Sequence, residues 1–247
     1  TSDVLTGDGE SVYLKYFAFG RDGKEAPEAN NHLFSITGLL VEKWFVRSYW
    51  IVGKGRPGAG WGNWAQAATS FPAGRILCFN DDKVFGYGRV EVASAAVGHK
   101  LDSYHLFSAS RTAPPTPAAA PKAIPGRKTG RKPRKPKPPR KAPPLWTNTD
   151  SLIVRAMAMG GDRFAVAGPV DLGKRAAGEA LAFENEPEAR EAFEGKKGVF
   201  LRIVNAADGK TVSQIGLPAM PTFDGMSAAG GKIYLSLKDG TVSCYGK

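Results

Sequence analysis

Residues 47–66 hold the densest mixture of side chains able to grip a ligand. Arg47-Ser48-Tyr49-Trp50-Ile51-Val52-Gly53-Lys54 runs into Gly55-Arg56-Pro57-Gly58-Ala59-Gly60-Trp61-Gly62-Asn63-Trp64-Ala65-Gln66. Aromatic rings stack on planar ligands, and nearby amides and guanidinium groups fix their orientation. Carbohydrate recognition is the chemistry this mixture supplies. Arg47, Trp50, Trp61, Asn63 and Trp64 are the candidate ligand-binding residues. The same tryptophans also suit a second role, as plugs in the core between packed sheets.

Other reactive side chains form no recognisable constellation. Asp81-Asp82 offers hard oxygen ligands of the kind calcium takes, but also reads as a hairpin tip. His32, His99 and His105 are single and widely spaced. None has a carboxylate at a spacing that marks a metal site or a general base. No Gly-x-Ser-x-Gly occurs, so no serine sits on a nucleophile elbow. Gly53-Lys54-Gly55 lacks the rest of a phosphate loop. Cys78 and Cys244 have no CxxC neighbour, and burial as small apolar groups is expected of both; a disulfide between them is a second option. No catalytic residue, metal ligand or cofactor is assigned, and the chain reads as a binding protein more than an enzyme.

The net charge of +11 points at first to nucleic acid. It is confined to one stretch. Residues 111–144 carry eleven basic side chains and no acid, leaving 23 basic and 23 acidic residues elsewhere. Eleven of the 18 prolines fall within 111–145. Proline removes backbone donors and like charges repel, so this stretch predicts an extended, disordered insertion with polyproline character. Arg127, Lys128, Arg131, Lys132, Arg134, Lys135, Lys137, Arg140 and Lys141 could hold nucleic acid or another polyanion by counterion release. No aromatic residue interleaves them, so base stacking is not expected, and a solvated spacer is the simpler role.

The elements that must position these groups are short strands. Ser11 to Tyr16, Arg75 to Phe79, Val84 to Arg89 and Ile233 to Leu237 alternate or run apolar, and turns at Asp22-Gly23, Asn80-Asp81-Asp82 and Asp239-Gly240 punctuate them. Residues 155–168 align without gaps on 224–237, placing Met157 on Met226, Gly161 on Gly230, Arg163 on Lys232 and Val166 on Leu235. Gly9 to Leu14 fits the second half of the same template. A recurring strand–glycine turn–strand unit predicts a repeat architecture. The expected fold is all-β, a β-propeller of several four-stranded antiparallel blades, incomplete at its N-terminal side. Residues 1–110 form its first part, 111–145 the basic insertion and 146–247 the C-terminal part. Ala- and Glu-rich residues 178–194 predict a short acidic helix that Pro187 opens. The first residues, Thr1 to Leu5, carry no initiator Met or signal pattern, and the chain is expected to be a piece of something longer. No apolar run is long enough to span a membrane.

Leu217 to Gly240 resembles the last blade of quinoprotein-like (PQQ-like) β-propellers, in particular the large propeller proteins of planctomycete-type bacteria. His32 to Leu40 with Trp44 to Trp50, and Pro72 to Arg89, are similar to phrases of that group. The resemblance implies the propeller fold and a periplasmic, cell-envelope or extracellular setting. It does not carry over a cofactor. Quinoprotein blades use an Ala-x-Asp-x-x-Thr-Gly-x-x-x-Trp docking motif. Here Asn205-Ala206-Ala207-Asp208-Gly209-Lys210-Thr211-Val212 is followed by Gln214-Ile215-Gly216 and no Trp. The expectation is therefore a non-enzymatic propeller that binds a protein or saccharide. A degenerate quinoprotein-like oxidoreductase and a polyanion tether are the alternatives.

Overall fold

The computed structural model describes residues 4–26, 31–35, 50–54, 71–89, 104–112, 142–148, 152–173 and 183–246. These residues form five small antiparallel sheets, each a meander in which sequence neighbours pair. The first sheet holds β1 (Leu5–Gly7), β2 (Val12–Leu14) and β3 (Phe17–Phe19). The second holds β4 (His32–Ser35), β5 (Trp50–Gly53) and β6 (Ala73–Gly74). The third holds β7 (Ile76–Phe79), β8 (Lys83–Arg89), β9 (Tyr104–Ser110) and β10 (Trp146–Asn148). The fourth holds β11 (Ala156–Gly160), β12 (Arg163–Pro169), β13 (Val199–Asn205) and β14 (Thr211–Gly216). The fifth holds β15 (Pro221–Ala229), β16 (Lys232–Leu237) and β17 (Val242–Tyr245). The chain is all-β with one helix among the described residues, α1 (Glu186–Phe193). Two sheets have four strands and three have three, so the four-stranded unit expected throughout appears twice among the described residues.

The sequence echo is reproduced in the hydrogen-bond register. Met157 pairs Val166 as Met226 pairs Leu235. Leu5 pairs Leu14 and Leu77 pairs Gly86 at the same separation. Four sheets therefore open on the same hairpin. Two of them close on a two-residue turn that begins with glycine: Gly161 has φ 61° and Gly230 φ 57°. A Cβ is strained in that left-handed region, which explains why the template keeps glycine there.

The sheets stack in chain order. β1 and β2 lie on β4, β5 on β7, β7 on β11, and β11 on β15. The fourth sheet is covered on both faces. Met157, Phe164, Val166 and Val204 point into one apolar cluster with Ile76, Phe85, Tyr87 and Leu106 of the third sheet. Their strand neighbours Ala156, Ala165, Ala167 and Leu201 point the other way, onto Leu235 and Leu237 of the fifth. Period-2 alternation thus feeds two cores, and β12 reads as a continuous apolar run for that reason. Full burial of a side chain such as Phe164 or Val166 contributes about 1.5–3 kcal/mol.

Two local expectations are corrected. The strand expected to reach Tyr16 stops at Leu14, because Lys15 at φ 57° turns the chain and Phe17 pairs back on Leu14. Cys244 is exposed, not buried, since it pairs Tyr234 on the face of the fifth sheet turned away from the fourth. The expected short acidic helix is present as the eight-residue α1, with Pro187 at its start and the Asn185 side chain accepting from the Glu188 amide at 3.2 Å. The basic stretch runs from the end of β9 to the start of β10, which pair with each other, so it interrupts the third sheet.

Candidate functional site

Of the five candidate ligand-binding residues, the described residues include only Trp50. It opens β5, half-buried, opposite Ser35 and Gly74. Arg47, Trp61, Asn63 and Trp64 lie outside the described residues, as do all nine polyanion candidates from Arg127 to Lys141. Asp81 and Asp82 sit at the β7–β8 hairpin tip. There Asn80 Oδ1 accepts from the Asp82 and Lys83 amides, and Arg111 approaches Asp81 at 4.0 Å. His32 is packed, its ring stacked on Tyr13 at 3.9 Å and its Nε2 2.7 Å from the Lys15 carbonyl. His105 is buried beside Phe107. His99 lies outside the described residues. Among the described residues, no three of His, Cys, Asp and Glu gather as a metal site would require.

The structure supplies a different candidate. A cleft of about 760 Å³ opens between the β11–β12 and β15–β16 hairpins. Its floor is apolar: Ala158 and Ala165 from one hairpin, Ile233 from the other, and Ile203 from β13. Gly160-Gly161 and Gly230-Gly231 form the two lips, and no heavy atom lies within contact of the space a side chain there would fill. Arg163 and Lys232 stand at the mouth. They occupy one register position, the first residue of the second strand, in the two repeats. Among the described residues, Arg163 makes a loose, exposed approach to Asp162 at 3.9 Å. Such a pair contributes little and leaves its charge to the solvent. An apolar floor under two cations fits a ligand carrying an apolar group beside a carboxylate or sulfate. The signal was present in the echo, which aligned Arg163 with Lys232. What the sequence could not show was that the two tips face one another across a gap.

A second constellation holds the sheets together. Trp146 of β10 reaches over the turn that joins β13 to β14. Its Nε1 donates to the Ala206 carbonyl at 3.1 Å, and its ring lies where a Cβ on Gly209 would be. Asn148 Nδ2 donates to the Gly209 carbonyl at 2.8 Å. The tryptophan that packs on this turn comes from the preceding sheet and not from the residues that follow it. Closer to the first strands, Arg75 and Arg155 hold equivalent positions just before β7 and β11: each amide donates to its partner strand, at Tyr87 and Ala167. Both side chains are buried and turn to β15. Arg155 Nε donates to the Pro221 carbonyl at 3.0 Å, and the Arg75 guanidinium lies 5.4 Å from the Phe223 ring centre. Asp224 holds the matching place in the fifth sheet, at φ 56°, and burial pushes its carboxyl above the usual range. Burial, with Asp224 nearby, pushes the Cys78 thiol up to about 12, which removes it as a nucleophile near neutral pH.

No helix among the described residues is long and apolar enough to cross a membrane. No family model matches the chain, and no curated protein matches it. Among solved structures, the computationally designed Ika8 protein aligns over 98% of this chain and 95% of that one, at 11% identity and a TM-score of 0.20, too low to carry an argument about the fold.

Proposed function

We propose that the five sheets are blades of a propeller-type repeat domain that acts as a binding module and not as an enzyme. Several features support the blade reading. Each sheet is a sequential meander, the sheets stack in chain order, and β11 lies against both β7 and β15. Trp146 docks across two sheets on the turn where the resemblance to quinoprotein blades calls for a tryptophan. The reading needs no quinone cofactor. An envelope or extracellular setting goes with the resemblance.

The observation that carries the binding reading is the cleft between the two glycine-lipped hairpins. Its chemistry favours a protein partner, an extended segment with an apolar side chain next to an acidic one. Saccharide recognition stands on Arg47, Trp61, Asn63 and Trp64 together with Trp50, and so draws on residues outside those described.

Selection of random peptides displayed on phage against the whole chain tests the reading. Winners should pair an acidic residue with an apolar one. They should bind the double variant Arg163→Glu, Lys232→Glu at least about tenfold more weakly, since two charge reversals at one site are worth more than 1.4 kcal/mol. Winners without acidic residues, or binding untouched by the reversals, would overturn it.

A further inference from the structure

The cleft has a filled counterpart between the third and fourth sheets. Leu77 pairs Gly86 as Met157 pairs Val166, which matches the third sheet to the fourth place for place. One row across the third sheet reads Cys78, Phe85, Ser108, Trp146. The same row of the fourth sheet reads Ala158, Ala165, Ile203, Ser213. On the facing walls, Met159 and Phe164 of the fourth sheet correspond to Ala228 and Ile233 of the fifth.

Three rings fill the first of these junctions. Phe85 and Phe164 lie with centres 5.5 Å apart, Trp146 and Phe164 at 6.0 Å, and Phe85 and Trp146 at 6.3 Å, all distances that aromatic pairs favour. In the second junction those rings give way to Ala165, Ser213 and Ile233, and the cleft of about 760 Å³ opens there. One place gains bulk: Tyr245 pairs Ile233 as Val204 pairs Phe164, and it packs in the cluster shared by the two sheets. Every place compared lies in a strand of this chain, so the difference does not depend on what precedes or follows it.

We propose, resting on the same binding reading of this cleft, that its occupant is an aromatic side chain of a protein partner, flanked in the partner's sequence by acidic residues. The guest ring enters from the mouth and takes the space that Phe164 and Trp146 take in the filled junction. Packed sheets stand about 10 Å apart, a gap that small side chains leave open and a flat ring fills. Arg163 and Lys232 at the mouth meet the flanking carboxylates. The lips favour a peptide as the bearer of the ring. At Gly160, Gly161, Gly230 and Gly231 nothing lies within 4 Å of where a Cβ would be, so another main chain can cross close to them.

The test is fluorescence anisotropy of dye-labelled, C-terminally amidated peptides titrated with the whole chain. The probes are Ser-Asp-Trp-Asp-Ser and the same sequence with Leu or Ala in place of Trp. The tryptophan form should bind at least about tenfold more tightly than the leucine form, and the alanine form should be weakest. The variant Ala228→Met, Ile233→Phe gives the fifth sheet the side chains of its counterpart and fills the cleft from one wall. Its affinity for the tryptophan form should fall at least about tenfold, with an undiminished melting temperature as the check on folding. If that pair disturbs folding, Ala228→Trp alone covers the cleft from an exposed position. Leucine and tryptophan forms that bind equally, both weakened by Arg163→Glu, Lys232→Glu, would overturn the aromatic assignment and leave the binding reading standing. A tryptophan form that binds the filled variant as well as the unaltered chain would overturn it too, because its ring then sits elsewhere. Binding of no peptide, or binding indifferent to the charge reversals, would overturn both.

Discussion

Val12 and Phe164 hold the same place in two sheets and meet different surroundings. Phe164 is buried between the third and fourth sheets, its ring parallel to Trp146 with centres 6.0 Å apart. Val12 looks outward from the first sheet. Both belong to the same hairpin template, with the same pairing and the same alternation. The template therefore fixes which way a side chain points but not what it meets. Burial in this chain is a property of the stack, and it is greatest where a sheet has neighbours on both sides.

Substitutions at matched places should expose that difference. The largest effect is expected at Phe164→Ala, destabilising by about 3–5 kcal/mol in urea unfolding, because it empties the middle of a packed cluster; Trp146→Ala, at the half-buried edge of that cluster, should cost less. Val12→Ala, at the place of Phe164, should stay within about 0.5 kcal/mol when measured on dilute protein. A loss at Val12 as large as that at Phe164 would mean the first sheet is covered in solution.

The opposite faces give the next contrast. Ala165→Tyr forces into the fourth sheet the residue that the fifth carries at the same place. It should cost about 1–3 kcal/mol by overpacking. Tyr234→Ala should be near neutral on dilute protein. Equal costs in the two sheets would erase the distinction between covered and open faces.

Two carboxylates give smaller effects with opposite signs. Burial raises the folded pKa of Asp224, so the folded state holds that proton more tightly than the unfolded chain. Stability from this group is full below the unfolded value of 3.8 and is lost as pH rises from there through the folded pKa. Asp224→Asn should therefore raise the melting temperature at neutral pH, and asparagine tolerates the φ of 56° found there. Asp8 behaves the other way. The Tyr13 hydroxyl, 2.6 Å from its carboxylate, and the amides of Ser11 and Glu10 hold it down to about 2. That contribution is present above pH 3.8 and fades as pH falls through about 2. Asp8→Asn should flatten the acid limb of the melting curve in that window, and only slightly, because the group is exposed. Asp224 belongs to the sheet junction and Asp8 to a surface turn, so the two pH profiles separate interior from edge.

The legible part of the fold was local. Glycine at 161 and 230, apolar alternation on either side and a cation at 163 and 232 were enough to align two hairpins residue by residue, and the pairing follows that alignment. Pro187 before an Ala- and Glu-rich run was enough for a helix. The site was less legible. A tryptophan was sought after the Asn205 to Val212 turn, yet the one that docks there stands about 60 residues earlier in the chain, across the basic stretch. Arg75 and Arg155 looked like ordinary strand-leading cations, and only the arrival of β15 explains why both are buried.

Sequence alone determined several of the strands and turns, the repeated hairpin and the separation of a neutral body from one basic, proline-rich stretch. These depend on φ preferences, alternation and charge, which act over a few residues. Tertiary structure decided which faces are covered, that Cys244 is exposed and Cys78 sheltered, and that two glycine lips frame a cleft. A period of two marks a strand's two faces, but what lies on each face comes from sheets far away along the chain, whose meeting no short-range pattern encodes.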